Sequence, residues 1–231
     1  MMTTPPIENS KQALTRAELR TPRAAAIAGI IFSVLLIAII WLLRLSVPVD
    51  PLEPGAWLQT HAQRVAAAIN LVPFAGIAFL WFLGVLRDRL GALEDQFFGS
   101  VFFGSALLFL AMLFTAAAVV GAIILAFASA QPGEAIDSAA FHFARAAAYN
   151  VMNVYAVKMA AVFMLSTSTV AISTRIAPRW LAALGYALAL ILLIGSYYIS
   201  WSLLVFPVWV LLLSTYILVD NFRGLKAASD T

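Results

Sequence analysis

A chain of 231 residues that is 63% hydrophobic and 11% charged does not read as a soluble domain, whose charged share is about twice as large. So much apolar surface belongs in a bilayer. The absence of cysteine excludes disulfides, thiolate metal sites and cysteine nucleophiles, and a net charge of +3 calls for no nucleic-acid partner.

In chain order, residues 1–21 are polar and carry both signs. They hold no short apolar run followed by a cleavage site, so they read as a cytoplasmic leader and not as a signal peptide. Thr15 and Glu18 have capping-box spacing, which allows a short leader helix; a solvated leader is the plainer reading. Thr21 and Pro22 look like an N-cap and first-turn proline for the first apolar run, at about 23–43. Further runs follow at about 65–86, 100–128, 146–173, 180–197 and 203–219. Each is near the ~20 residues that cross hydrocarbon. The loop "VPVDPLEPGAW" holds three prolines and should be stiff. The turn "RDRLGALEDQFFGS" is amphipathic and suits the interface, "APRW" separates the fourth and fifth runs, and "SYYISW" makes a tight hairpin of the last two. The expected fold is all-α: a polytopic transmembrane bundle of six spans, one membrane domain over 22–220 and a tail over 221–231.

Orientation follows from the basic residues. With both termini cytoplasmic, ten lysines and arginines fall inside and three outside (Arg44, Arg64 and Arg145). Tyr197, Tyr198 and Trp201 fit an outer aromatic belt, and Trp81 and Trp180 an inner one. Ala25, Gly29 and Ser33, and again Gly185 and Ala189, are small residues spaced for close helix contact within the bundle. Pro73, between Asn70 and Gly76, should kink the second span and free a carbonyl.

The second and fourth spans open alike, with "HAQRVAAAIN" at 61–70 and "HFARAAAYN" at 142–150. Either this is a parallel repeat of two-span units or the arginines are interfacial anchors. If the helices are neighbours, His61, Arg64, His142 and Arg145 form an outer basic rim, with Asn70, Asn150 and Asn153 deeper. Such a rim suits an anionic or amphiphilic ligand. Haem held by His61 and His142 is a remoter alternative, and no metal site is expected.

Lys158 stands within the fourth span, ~20 Å from Arg145 along a helix and so near the midplane if Arg145 marks the headgroups. A charge there costs from ~3 kcal/mol upward, which predicts that Lys158 faces the interior or a wet cavity. Tyr155, Lys158, Ser166 and Thr169 share one helical stripe, read as a ligand-binding path. The bland alternative is that serine and threonine bond their own helix carbonyls.

No enzyme motif is present, and Glu94, Asp95, Asp137 and Asp220 all lie at span ends. The segments "TPRAAAIAGIIFSVLL", "NLVPFAGIAFLWFLGVLRDR" and "NVYAVKMAAVFMLSTSTVAI" resemble a family of uncharacterised bacterial multi-spanning plasma-membrane proteins. That resemblance implies location and architecture, not an activity. The expected function is non-catalytic: binding or transport of a small anionic or lipid-like molecule. The alternatives are an accessory subunit, with a membrane-protein partner or further copies of the chain, and a haem-bearing electron carrier.

Overall fold

The structure is a computed structural model that describes residues 7–48, 50, 53–90, 96–129, 138–173, 177–195 and 201–229. Its elements are α1 (Ile7–Ser46), α2 (Trp57–Leu90), α3 (Gln96–Ser129), α4 (Ala139–Asn150), a π-helical turn (Val151–Ala156), α5 (Val157–Ser173), α6 (Arg179–Gly195) and α7 (Ser202–Ser229). No strand occurs among the described residues. Among the described residues, five helices are long and apolar enough to cross a membrane, with α4, the π-turn and α5 counting as one. The expected fifth span is a shorter apolar helix of 17 residues, Arg179–Gly195.

One expectation about element ends changes. The first helix does not start at Pro22; it begins at Ile7 and runs straight through, so the leader from Ile7 onward is part of α1. A proline inside a helix forfeits one backbone bond, and the apolar run that follows carries the helix regardless. The "SYYISW" hairpin, with Tyr197 and Tyr198, lies outside the described residues apart from Trp201, as does the middle of the "RDRLGALEDQFFGS" turn.

Apolar helices gain nothing from leaving lipid, so packing detail holds such a bundle together. At its centre, Phe79 meets Phe32, Phe109, Phe163 and Phe206 at ring-centroid distances of 4.6, 5.6, 5.5 and 6.0 Å. Three of these pairs are edge-on, the favoured aromatic geometry. The small residues do pack inside. A Cβ on Gly29 would run into Ser214 Oγ and lie 2.9 Å from Phe82, and one on Gly185 would run into Ser168 Oγ and lie 2.9 Å from Trp209 Nε1. Ser33, Ala25 and Ala189 are buried on the same faces.

These junctions fix the register. Ser168, Gly185 and Trp209 share one level, and Gly29, Ser214 and Phe82 another. Beyond the first, α7 rises only ~10 Å to Ser202, whereas α5, the π-turn and α4 together run ~43 Å to Ala139. The spans of α2, α3 and α4–α5 are 31, 31 and 35 residues long, against 23 and 21 for α1 and α7. The longer helices therefore overshoot at one end. There they enclose a second, smaller core of Trp57, Leu58, Val65, Ile123 and Phe141, separate from the main one.

Candidate functional site

A cavity of about 200 Å³ lies between the two cores. It follows α1 from Leu36 to Val47, a run of ~16 Å, so it is elongated. Leu36, Ile39, Val72, Leu113 and Ala116 make its deep part apolar. The alanines matter here: Ala116, Ala117 and Ala148 line the space that larger side chains would fill.

Polar groups gather toward the overshooting end. Arg44, Arg145, Tyr149, Asn153 and Trp57 all border the cavity. Arg145 is buried, and its guanidinium donates to the backbone carbonyls of Pro48 at 3.2 Å, Asp50 at 2.6 Å and Glu53. One side chain on α4 thus pins the loop after α1 and roofs the cavity. The Arg44 guanidinium stands 5.7 Å from the Trp201 ring centroid, a cation–π distance. Asn153 of the π-turn donates to the Tyr149 carbonyl of α4 at 3.0 Å. Among the described residues, nothing accepts from the buried Trp57 indole N–H, an expensive state unless something else does.

Backbone irregularity concentrates at the same place. Pro73 and Pro207 lie inside α2 and α7, which denies the carbonyls of Ile69 and Leu203 their usual helical amide. Both residues border the cavity, and so does Met152 of the π-turn. Irregular backbone at membrane depth is tolerated where it lines a cavity, and π-turns recur at functional sites.

Of the residues expected from sequence, Arg145 and Asn153 border this cavity. Asn70, Asn150 and Arg64 are exposed, while His61 and His142 are half-buried. The basic rim is therefore not one surface: Arg64 points out and Arg145 points in. The helices that carry them do run the same way and share the smaller core through Val65 and Phe141. The echo in sequence marks two helix entries with different environments.

Lys158 is a correction. It is exposed, as is Tyr155 at 56%, and no described residue makes a hydrogen bond or ion pair with it. The interior side of α5 is lined by Ala160, Phe163, Thr167 and Ala171, about half a turn round the helix. Small side chains permit close packing there, and the lysine takes the opposite face. Its expected stripe divides. Ser166 is buried and bonds the Val162 carbonyl at 3.0 Å, and Thr169 bonds the Leu165 carbonyl at 3.0 Å and the Tyr186 hydroxyl at 2.7 Å. Both hydroxyls thus have partners within the bundle.

Sequence reasoning missed Trp57, Arg44 and Tyr149. The signal present was the proline pair at Pro73 and Pro207, each freeing a carbonyl toward the same space. Neither histidine borders the cavity, so it offers no axial ligand to a haem iron. Among the described residues, no group of three or more His, Asp or Glu is placed to hold a metal. In comparisons with known proteins, no family model, no curated protein and no solved structure matches this chain.

Proposed function

We propose that this integral membrane protein binds a small amphiphile, without catalysis, with the tail in the elongated cavity and the polar head at its arginine end. The carrying observation is the cavity itself: an apolar slot bordered at one end by two arginines and by an indole N–H that has no partner among the described residues. An apolar cavity of ~150 Å³ suffices for a benzene ring, so one of about 200 Å³ holds a short or slender tail, not a bulky lipid. The head then meets positive charge at Arg44 and Arg145 and a donor at Trp57. Ala117→Trp fills the slot. Lipid extracts of the purified protein should contain one amphiphile in near-equal amount to the wild-type chain, and much less with the variant. Equal retention by both proteins rejects the reading.

A second reading, an accessory subunit, rests on α3. Its apolar window is the least buried of the five, at 28%, and a Cβ on Gly104 or Gly121 would meet nothing within 4 Å. At both positions α3 leaves room for a neighbouring helix. Crosslinks from Gly104 to one defined protein, lost when bulk is added at Gly121, would support this reading over the first.

A further inference from the structure

The exposed residues of α2 change character along a single stripe. Gln63, Ala67, Asn70, Phe74, Ile77 and Trp81 are all exposed and follow intervals of three and four. The stripe is polar or small down to Asn70 and wholly apolar below it. On α4–α5 the exposed polar residues Asn150, Tyr155 and Lys158 end at Lys158, and the next exposed residue below it is Ile172.

The register places these changes at one height. Relative to the Ser168–Gly185–Trp209 junction, Trp201 is ~12 Å and Lys158 ~15 Å toward the overshooting end. The Gly29–Ser214–Phe82 junction lies ~7.5 Å the other way, which puts Arg44 at ~15 Å and Asn70 at ~10 Å. Four helices thus carry a polar or interfacial residue within about one turn of the same level. In the opposite direction the exposed charges Arg179, Arg87 and Asp220 stand at ~9, ~15 and ~16 Å. The two bands are ~20–31 Å apart and average ~27 Å, close to the ~30 Å thickness of bilayer hydrocarbon. Exposed tryptophans sit within each boundary: Trp41 and Trp201, stacked at 6.3 Å, on one side, and Trp81 and Trp180 on the other.

We infer that one membrane surface cuts the bundle at Arg44, Asn70, Lys158 and Trp201, that Lys158 there binds lipid-headgroup phosphate, and that the tops of α2, α3 and α4 stand in water as a cap. Lys158 is then no midplane charge. It was placed there by measuring from Arg145, which belongs to the cap and bonds loop carbonyls instead of headgroups. At the surface the ammonium needs no carboxylate, and none of the described spans offers one at that level. Leu125 and Phe143 are exposed apolar residues of the cap; the boundary rests on the change along α2 and on the height it shares with Lys158, Arg44 and Trp201. This inference does not depend on the cavity holding a ligand.

The test uses the whole chain in nanodiscs of phosphatidylglycerol and phosphatidylethanolamine. With no native cysteine, single cysteines along the α2 stripe react with a water-soluble maleimide without background. Residues 63 and 67 should react fully, 70 partially, 74, 77 and 81 not at all, and Arg87→Cys again. Because nanodiscs expose both faces, the result is independent of orientation. Protection of 63 and 67 overturns the cap, and reaction at 74 or 77 overturns the boundary. In a second arm, Lys158→Gln should lower the preference for spin-labelled phosphatidylglycerol over phosphatidylcholine about fivefold, with Lys158→Arg retaining it. An unchanged preference in Lys158→Gln overturns the phosphate contact.

Discussion

Replacing Arg145 by methionine keeps the length of the side chain and removes its hydrogen bonds. Three carbonyl acceptors, on Pro48, Asp50 and Glu53, lose a charged donor. Such bonds contribute ~1.5–3 kcal/mol each. Two terms oppose that sum: burial of the cation is itself unfavourable, and Asp50 and Glu53 are exposed enough for water to replace part of the loss. The net expectation is a loss of ~3 kcal/mol, about a hundredfold in the unfolding equilibrium. Arg64→Met is the control. It removes the matching arginine of the second span, which is exposed, and should shift stability by less than ~0.5 kcal/mol. Unfolding in mixed micelles of dodecyl sulfate and a mild detergent reads both. Arg145→Lys should fall between, since an ammonium cannot reproduce the guanidinium fork. Equal losses at Arg64 and Arg145, or a loss below ~1 kcal/mol at Arg145, refute its role as the pin of the cavity roof.

Gly185→Ala puts a methyl against Ser168 Oγ and the Trp209 indole, so it should cost ~1–3 kcal/mol in the same titration, while Gly104→Ala, with open space around it, should cost nothing measurable. Trp57→Phe removes the unpartnered N–H and keeps most of the ring; it should leave stability within ~0.5 kcal/mol and weaken binding of a fluorescent short-chain amphiphile roughly tenfold, read by titration of the purified protein. Equal binding by Trp57→Phe and wild type excludes the indole as a ligand contact.

The helices were legible because lipid demands long apolar runs, and the runs at 65–86, 100–128 and 203–219 lie within α2, α3 and α7. Small residues such as Gly29 and Gly185 also declared their packing role, since no other residue types permit that approach. Depth was not legible. Counting from Arg145 assumed that a basic residue at a span end marks the headgroups, but Arg145 turns inward to a loop that sequence could not bring near it. Only contacts between helices, such as Ser168 with Gly185, fix one span's height against another's. The π-turn shifts the phase between α4 and α5, so the sides of Asn150 and Lys158 could not be related by counting at helical spacing. The cavity was hidden for a different reason: an alanine reads the same whether it admits a neighbouring helix or leaves a space.

The central claim, that the cavity holds an amphiphile, is tested most directly by an experimental structure of the protein extracted in its native membrane patch without detergent. The account predicts elongated density along α1 from Leu36 toward Val47, broadening beside Arg44, Arg145 and the Trp57 indole. A cavity that is empty or collapsed, with the Trp57 N–H bonded to the protein itself, would contradict it.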